Sequence, residues 1–461
     1  MALRDSALRR DALRVAVVAT ALRVLWVIVM HRPPRGLSDP VLYRRFARDI
    51  ADGNGYVSFL GEPTAYYPPG YPYFLGALQR LADLVGLDRS LPLVAGLAQA
   101  MLGGVAAGAV VVAGRELGRR LGDERLARGA GLAAGSVMAL WPNLILYSGV
   151  LLSESLFIAC LSVFVAALVR SLAMRSSSGR RPPLVLFVAA ASLGAATLVR
   201  PQVLVALPAI AVAMIVARCP WRNALADLAV LCLGLLLVLC PWIIRNAVVL
   251  DAFVPLSNNG GDNLCVGFHP GANGRFQVPR YCDTGEFYID GPAAELRRNR
   301  ETARRARRWA TTHLGALPGL SMRKLWHTYE GEDDGLRALE SYEKDLFLPR
   351  GLRSAAKVGL NLSYLLIMAL ALVGAGVASY ALWRRRGRDV VLASLVLMTA
   401  ASAAVPVVVF GDPRFKVAST PLFALAAGLG VLSRRWWGST RRPKGEPSSR
   451  QEQPAMPDPS R

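Results

Sequence analysis

Apolar runs about 20 residues long recur through nearly the whole sequence, and they constrain the fold more than any other feature. A run of that length is what an α-helix needs to cross the hydrocarbon core of a bilayer. Of the 461 residues, 53% are hydrophobic, which is high for a soluble domain. We therefore predict an all-α polytopic membrane protein with about ten transmembrane helices. The expected spans cover residues 15–30, 91–113, 129–146, 150–172, 184–199, 203–217, 224–244, 358–383, 390–410 and 417–432.

The first of these runs is expected to stay in the protein as an uncleaved span. Residues 31–34, which follow it, are His, Arg and two prolines, and they do not form the small-residue site at which signal peptides are cleaved. Residues 72–86 make a shorter apolar stretch after a loop rich in tyrosine and proline. We predict an apolar or interfacial helix there.

Arginine clusters lie at every second junction between the apolar runs. Loops and termini with an excess of Lys and Arg usually face the cytoplasm. By that rule this is a multi-pass protein of the inner (plasma) membrane with both termini in the cytoplasm. The net charge of +22 then reflects membrane topology, and no nucleic-acid partner is expected. The clusters lie at 4–14, around Arg120, Arg180, Arg222 and Arg386, and in the tail.

The junctions on the opposite side include one long polar region, which divides the chain. We predict an N-terminal transmembrane module at 1–245 with an outer loop at 31–71, and C-terminal transmembrane helices at 356–433. Between them, 246–355 is predicted to be a small extracytoplasmic subdomain with a helix at 292–313. Cys265 and Cys282 lie in this region and could form a disulfide if it faces an oxidising space. The tail, 434–461, is rich in Pro and Ser and is predicted to be disordered and cytoplasmic.

Asp39 stands just beyond the first span, on the predicted outer side, and is followed by Pro40. One interpretation is structural: Asp39 caps a short helix whose first residue is Pro40. The other is catalytic, because a carboxylate at the mouth of a helical bundle could accept the proton of an attacking hydroxyl.

Glu154 lies in a Ser-Glu-Ser sequence between two apolar runs, also on the predicted outer side. An ionisable residue at membrane depth is unfavourable unless it has a partner or a function. The alternative is a structural role at a helix N-terminus, where a carboxylate interacts favourably with the helix dipole. We take Glu154 as a second catalytic candidate.

The tyrosines of the first outer loop are candidates for substrate contact, Tyr43 and Tyr67 in particular. Tyrosines near a membrane surface often form an interfacial belt, which is the structural alternative. In a rigid Pro/Gly turn such as 68–72 they would also suit the face of a sugar ring or a lipid headgroup.

Arg200, Arg245 and Arg414 each stand at the predicted outer end of a span, against the positive-inside bias, and Lys416 follows Arg414 closely. A single such arginine could simply extend its side chain to the membrane surface. Several together indicate an anionic ligand, and planar guanidinium groups suit a phosphate. All four residues are therefore candidates for substrate binding.

Several classes of site are missing from the sequence. It contains no GxxxxGK[ST] phosphate loop, no GxSxG or HExxH motif, and no CxxC or His-rich spacing typical of a metal centre. We therefore assign no metal ligand and no cofactor, and leave the use of a divalent metal open.

Taken in order, these short motifs resemble the GT-C superfamily of polytopic glycosyltransferases, in particular the protein-mannosyltransferase and aminoarabinose-transferase-like branch (glycosyltransferase family 39-like). The resemblance extends over roughly residues 10–435. The matching pieces are Ser38-Asp39-Pro40 with Tyr43 and Ala47, Tyr67-Pro68-Pro69-Gly70-Tyr71-Pro72, Leu152-Ser153-Glu154-Ser155-Leu156-Phe157, Leu198-Val199-Arg200-Pro201, Pro241-Trp242-Ile243-Ile244-Arg245-Asn246 and Gly411-Asp412-Pro413-Arg414-Phe415-Lys416.

The resemblance implies a sugar donor carried on a polyprenyl phosphate and used on the outer face of the membrane. The acceptor would be a glycan, a lipid or a protein. Asp39 would be the general base of an inverting transfer, with Glu154 near it, and Arg414, Arg245 or Arg200 would hold the leaving phosphate. Many relatives carry a second acid directly after this Asp. Pro40 stands there in this sequence, which counts against any role that needs an acidic pair, including metal binding.

Two alternatives use the same residues. A transporter or flippase of a lipid-linked or anionic substrate would place them near the bilayer midplane, in broken helices of repeated halves. The sequence shows no such halves, and its polar residues lie at span ends. A non-catalytic scaffold of envelope assembly is the second alternative, and the intact Asp39 speaks against it.

Overall fold

The computed structural model describes residues 2–36, 38–87, 90–178, 183–287, 289–434 and 436. Within these ranges every regular element is an α-helix or a short 3-10 helix, and β-pairing is limited to two isolated bridges. The predicted all-α class is confirmed. The predicted disordered tail lies outside the described residues except for 434 and 436.

The helices follow one another closely along the chain. They are α1 (Ala2–Met30), α2 (Asp39–Ala51), α3 (Gly70–Leu84), α4 (Leu91–Leu121), α5 (Glu124–Leu140), α6 (Pro142–Tyr147), α7 (Glu154–Ser178), α8 (Pro183–Val199), α9 (Ala206–Val216), α10 (Trp221–Val249), α11 (Gly260–Gly267), α12 (Pro292–Thr312), α13 (Leu317–Tyr329), α14 (Asp334–Leu339), α15 (Arg350–Arg384), α16 (Val390–Ala403) and α17 (Thr420–Val431).

Several of these helices make this a multi-pass membrane protein. In the described part of the chain, six stretches are long and apolar enough to cross a bilayer, and three shorter apolar stretches accompany them. The predicted count of about ten spans stays a prediction. The six are Ser6–Met30, Leu91–Leu121, Glu154–Arg175, Trp221–Val249, Arg350–Arg384 and Val390–Val407, and the three are Pro183–Val199, Pro201–Val216 and Thr420–Val431.

One predicted span, 129–146, is wrong as a single helix. The chain breaks between α5 and α6, at Trp141, whose backbone is extended. The reason is Pro142, which has no N–H to donate to the carbonyl four residues earlier, that of Met138. A helix expected at 72–86 is confirmed as α3, and the helix expected at 292–313 is confirmed as α12.

Two of the arginine clusters, those around Arg120 and Arg386, meet at one end of the bundle, which we call the arginine-rich end. The guanidinium of Arg385, after α15, donates to the carbonyl of Arg120 in α4, and that of Arg120 donates to the carbonyl of Ala173 in α7 at 3.1 Å. Glu154 is the first residue of α7, so it lies at the other end of the same helix. The sequence prediction that the arginine clusters share one side is thus consistent with the packing.

Close packing of small residues fixes α17 against α15. A Cβ on Gly374 in α15 would lie 1.8 Å from the carbonyl oxygen of Ala426, and one on Gly430 in α17 would lie 2.0 Å from that of Leu370. Glycine therefore lets the two backbones touch, as is common between membrane helices. This contact holds the C-terminal helix in place, and with it the segment 411–418 that leads into it.

The long polar region between α10 and α15 forms helices α11 to α14 and is tied to the first outer loop. Cys265 and Cys282 form a disulfide there and pack with Ala306 in a small apolar cluster. The carboxylate of Glu295, in α12, accepts hydrogen bonds from the hydroxyl of Thr64 and from the backbone N–H of Ala65. Burial raises the pKa of Glu295. The four-part domain division predicted from the sequence stays a prediction.

Candidate active site

Arg414 brings together the two carboxylates that the sequence selected. Its Nη1 donates to Oδ2 of Asp39 at 2.7 Å, and its Nε donates to Oε1 of Glu154 at 2.6 Å. The three residues come from the starts of α2 and α7 and from the 3-10 segment before α17. Residues 375 positions apart in the sequence thus share one contact.

Arg200 extends this contact on the far side of Glu154. Its Nη2 lies 2.7 Å from Oε1 of Glu154, and its Nε donates to the hydroxyl of Ser153 at 3.0 Å. Acid and base therefore alternate in the order Asp39, Arg414, Glu154, Arg200, and we call these four residues the charge cluster. Its two negative and two positive charges balance, as buried ionic groups require.

The charge cluster is closed at Glu154 and open at Asp39. The side chain of Glu154 is 0% exposed, whereas that of Asp39 is 29% exposed and that of Arg414 is 20% exposed. A molecule arriving from outside therefore meets Asp39 and Arg414 first. Glu154 touches no solvent and acts by fixing the two guanidinium groups.

Each guanidinium keeps one terminal nitrogen without a protein partner. Among the described residues, no hydrogen bond or ion pair involves Nη2 of Arg414 or Nη1 of Arg200. Because guanidinium N–H groups are strong donors to phosphate oxygens, these two nitrogens are suited to an incoming anion.

Local backbone structure explains how Asp39 and Arg414 are aimed at each other. The N-cap of α2 is Ser38, so Asp39 lies in the first turn with its carboxylate free to turn toward Arg414. The prediction that Asp39 itself caps this helix is therefore wrong. Asp412 instead provides a cap: its carboxylate accepts the backbone N–H of Arg414 at 2.9 Å, which starts the 3-10 turn that presents the guanidinium.

The predicted tyrosines line the Asp39 side of the cluster to different degrees. The hydroxyl of Tyr67 lies 3.5 Å from Oδ1 of Asp39, a long and weak hydrogen bond. Tyr43 is buried and packs edge-on against the rings of Tyr67 and Tyr71, at 5.9 and 4.9 Å between centroids. Tyr67 thus lies beside Asp39 with Tyr43 packed against its ring, and the predicted substrate contacts of both tyrosines stay predictions.

Arg245 lies outside the charge cluster and holds the first outer loop. It donates to the carbonyls of Thr64 and Tyr56 at 2.8 and 2.9 Å, and its guanidinium lies over the ring of Trp242 at 4.9 Å. The signal that selected it, an arginine at a span end, does not distinguish a loop anchor from a ligand contact. Its predicted role in substrate binding stays a prediction.

Lys416 is also directed elsewhere, although it is only two residues from Arg414. Its side chain is 5% exposed, its Nζ donates to the carbonyl of Gly331 at 2.5 Å, and it lies 3.7 Å from the carboxylate of Glu332. Burial raises the pKa of Glu332, and the charge of Lys416 offsets part of that rise. Lys416 therefore joins the segment carrying Arg414 to the loop before α14, and its predicted substrate contact stays a prediction.

Tyr342 is a candidate that sequence reasoning missed. Its hydroxyl is buried without a hydrogen-bond partner among the described residues, and Arg414, Asp39 and Glu154 are close enough for their charges to act on it. Burial raises the pKa of Tyr342, so the hydroxyl stays protonated and can donate. Such a donor next to charged groups is what a ligand would complete.

The backbone around Tyr342 is strained, and no sequence motif predicts this strain. Ser341, Tyr342 and Glu343 all have positive φ, 50°, 52° and 75°, a conformation that non-glycine residues rarely adopt, and seldom consecutively. The segment is held by the N–H of Arg35, which donates to the Ser341 hydroxyl, and by an ion pair between Arg32 and Asp345 at 3.2 Å. Strain of this kind often marks functional sites.

The residues of the cluster do not fit a divalent metal held between the two carboxylates. The guanidinium of Arg414 already lies between Asp39 and Glu154, and Pro40 follows Asp39 where a second acid would be needed. Within the described ranges, no group of three or more His, Cys, Asp or Glu residues is arranged to hold a metal ion. The cationic partner of the carboxylates is therefore an arginine.

The whole fold is similar to that of an oligosaccharyltransferase. The apo crystal structure of the Archaeoglobus fulgidus enzyme matches with a TM-score of 0.51 and 15% sequence identity, over 93% of this chain and 51% of that one. Its complex with Zn and sulfate matches with a TM-score of 0.50 and 15% identity, over 92% of this chain and 50% of that one. The chain thus spans about half the length of these proteins, and the likeness agrees with the predicted resemblance at the level of the fold.

A more distant match is ArnT from Cupriavidus metallidurans, solved with undecaprenyl phosphate. Its TM-score is 0.42 at 15% identity, with 90% of this chain and 76% of that chain covered. No protein-family model matches the sequence, and no curated protein matches it significantly. The oligosaccharyltransferase matches therefore show the fold alone.

Proposed function

We propose that this protein is a membrane glycosyltransferase that moves a sugar from a polyprenyl-phosphate donor to an acceptor hydroxyl on the extracytoplasmic face. The observation that carries the proposal is the bridge of Arg414 between Asp39, which is partly exposed, and Glu154, which is buried. A base and a phosphate-binding cation are thereby held within one contact of each other. A fold shared with an oligosaccharyltransferase supports a sugar transferase.

The reaction needs one base and one cationic site. The acceptor oxygen attacks the anomeric carbon, its proton passes to the carboxylate of Asp39, and the bond between that carbon and the phosphate oxygen breaks. The bonding electrons leave on the phosphate, which becomes free polyprenyl phosphate. Attack from the face opposite the phosphate inverts the anomeric centre. Activation by the phosphate supplies the driving force, so neither ATP nor a covalent enzyme intermediate is required.

Arg414 couples the two halves of this reaction. In the structure its charge is shared between Asp39 and Glu154. When Asp39 gains the proton of the acceptor it becomes neutral and holds the guanidinium less strongly. The positive charge of Arg414 then acts on the phosphate at the moment when negative charge develops there, and such preorganised stabilisation is a large part of catalysis.

The uncommitted donors around the cluster provide a phosphate site. These are Nη2 of Arg414, Nη1 of Arg200 and the hydroxyl of Tyr342. A phosphate has several acceptor oxygens, so it can accept hydrogen bonds from more than one donor at once. Tyr67, beside Asp39, is placed for the sugar or the acceptor.

The sidedness of the reaction follows from the two ends of the bundle. The arginine-rich end faces the cytoplasm if the positive-inside rule holds, which places both termini there and the charge cluster on the opposite face. A disulfide in the same polar region as α11 and α12 is consistent with an oxidising space. Lipid-linked sugars are available on that face, whereas nucleotide sugars are confined to the cytoplasm.

The transporter hypothesis expects its charged residues near the bilayer midplane, in broken helices. Here Glu154 is the first residue of α7 and Arg414 precedes α17, so the charges lie at the ends of helices. This position favours transfer at the membrane surface over passage through the membrane.

A transfer assay in membrane vesicles tests the proposal. We expect incorporation of radiolabelled sugar into acceptor material from polyprenyl-phosphate sugars, with release of polyprenyl phosphate and inversion at the anomeric carbon. Vesicles without the protein and nucleotide sugars as donors are the controls. Incorporation from nucleotide sugars alone, or retention of the anomeric configuration, would rule out the proposed reaction.

A further inference from the structure

Arg23 is a buried cation in the first membrane helix that the site described above does not use. It lies inside the apolar span Ser6–Met30 and is 2% exposed. Within the described residues it has no carboxylate partner. Gly103 in α4 makes room for it, since a Cβ there would lie 2.4 Å from its side chain. A charge at this depth is unfavourable unless it has a defined partner or task.

All the partners of Arg23 are backbone carbonyls. Its Nη1 donates to Ala19 in its own helix and to Ala139 in α5, both at 3.0 Å, and its Nη2 donates to Met138 at 3.0 Å. Met138 is the residue whose carbonyl loses its helical partner because Pro142 has no N–H. Arg23 therefore closes the end of α5, where a positive charge also suits the helix dipole.

The short helix α6 and its N-cap residue Trp141 hold residues 332–335, which are the end of the loop before α14 and the start of α14 itself. The indole of Trp141 donates to Glu332 at 2.5 Å, and the hydroxyl of Tyr147 donates to Asp334. Asn143 accepts the N–H of Gly335 at 3.0 Å. Three side chains between Trp141 and Tyr147 thus contact three residues, Glu332, Asp334 and Gly335.

The same loop holds the segment that carries Arg414. Lys416 donates to the carbonyl of Gly331 and lies beside Glu332. The contacts therefore run from Arg23 to the end of α5, continue along the chain through Trp141 to α6, and pass on to residues 331–335 and Lys416, two residues from Arg414. A cavity of about 20 Å³ beside Arg23, lined also by Gly103, Tyr147 and Ser155, has room for one water to satisfy a remaining N–H.

We propose that Arg23 is a positioning residue for the active site: by closing the end of α5 it sets α6, and through α6 and Lys416 it fixes Arg414. The expected fall in transfer rate rests on the proposed function. The expected loosening of the structure rests on the contacts alone. Removing the hydrogen bonds of Arg23 should loosen residues 331–335 and thereby misplace Arg414. A misplacement of about 1 Å can lower a rate about 100-fold.

The test compares Arg23→Met, which keeps an unbranched apolar side chain and removes the donors, with Arg115→Met in purified full-length protein in nanodiscs. Arg115 is equally buried, in α4, and pairs with Glu124 at the arginine-rich end, so it controls for the loss of any buried arginine. Backbone hydrogen exchange over 331–335 and 412–418 is measured with the transfer kinetics.

We expect Arg23→Met to speed exchange at Gly335 and its neighbours about tenfold or more and to lower kcat about tenfold or more per folded molecule. Arg115→Met should change neither by more than about twofold, and Arg23→Lys should recover part of the loss. Unchanged exchange in Arg23→Met, or an equal change in Arg115→Met, overturns the inference. If the wild type transfers no sugar while exchange responds as expected, the proposed function fails and the structural inference stands.

Discussion

Asp39→Asn is expected to abolish sugar transfer while leaving the protein folded in the membrane. Asparagine keeps the size of the side chain and can still accept a hydrogen bond from Arg414, but it cannot take the proton of the acceptor hydroxyl. Loss of a general base lowers rates about 10²- to 10⁴-fold. The measurement is kcat/KM for donor and acceptor, with the thermal unfolding midpoint recorded on the same preparation.

Asp49→Asn is the matched control for this prediction. Asp49 lies in the same helix, is buried and pairs with Arg45 at 2.8 Å, but does not touch the charge cluster. Its replacement should change transfer by no more than a few fold. If Asp39→Asn turned over at a near-normal rate, Asp39 would not be the base.

Arg414→Met is expected to remove both activity and a large part of the stability. The change leaves the fully buried carboxylate of Glu154 with Arg200 as its cationic partner and leaves Asp39 without its cation. Breaking a buried ion pair by removing one partner is destabilising by about 3–5 kcal/mol. Transfer should fall at least about 10²-fold, since the cation at the leaving phosphate is gone. Unfolding free energy and kcat/KM are measured together.

Two further variants separate these effects. Arg414→Lys keeps the charge but cannot bridge two carboxylates, so it should retain more stability than Arg414→Met and still lose most activity. Glu154→Gln combined with Arg414→Met should be more stable than Arg414→Met alone, because the carboxylate left short of a cation is removed. Strictly additive stability losses in the double variant would show that the two residues do not act as a pair.

Much of the architecture could be predicted from the sequence because long apolar runs indicate membrane helices. The helical class and several helix bounds follow from hydropathy alone, and charge predicts that the arginine clusters share one side. The break at Trp141 was not predicted, although Pro142 in the span was the available signal. The first two-thirds of that span has the composition of any other membrane helix. The loss of the hydrogen bond from residue 142 to the Met138 carbonyl was therefore overlooked.

The candidate site was predicted in its members and not in its contacts. Asp39, Glu154, Arg200 and Arg414 were selected because each is a charge at a span end. That signal says nothing about which charges meet, since Glu154 and Arg414 are 260 positions apart. The same signal also selected Arg245 and Lys416, whose donors go to backbone carbonyls instead.

Two residues had no usable sequence signal of this kind. Tyr342 depends on a backbone conformation that its neighbours do not specify, since left-handed residues are usually marked by glycine or asparagine. Arg23 did carry a signal of another kind, since it is an ionisable residue inside the predicted span 15–30. Its partners, the carbonyls of Met138 and Ala139, could not be read from the sequence.

The proposed chemistry depends on a lipid phosphate reaching the open side of the charge cluster. A cryo-EM structure of the protein in nanodiscs with undecaprenyl phosphate measures this directly. We predict that the phosphate lies within hydrogen-bonding distance, about 3 Å between nitrogen and oxygen, of the uncommitted nitrogens of Arg414 and Arg200. A phosphate bound away from both arginines, with the bridge from Arg414 to Asp39 and Glu154 undisturbed, would contradict it.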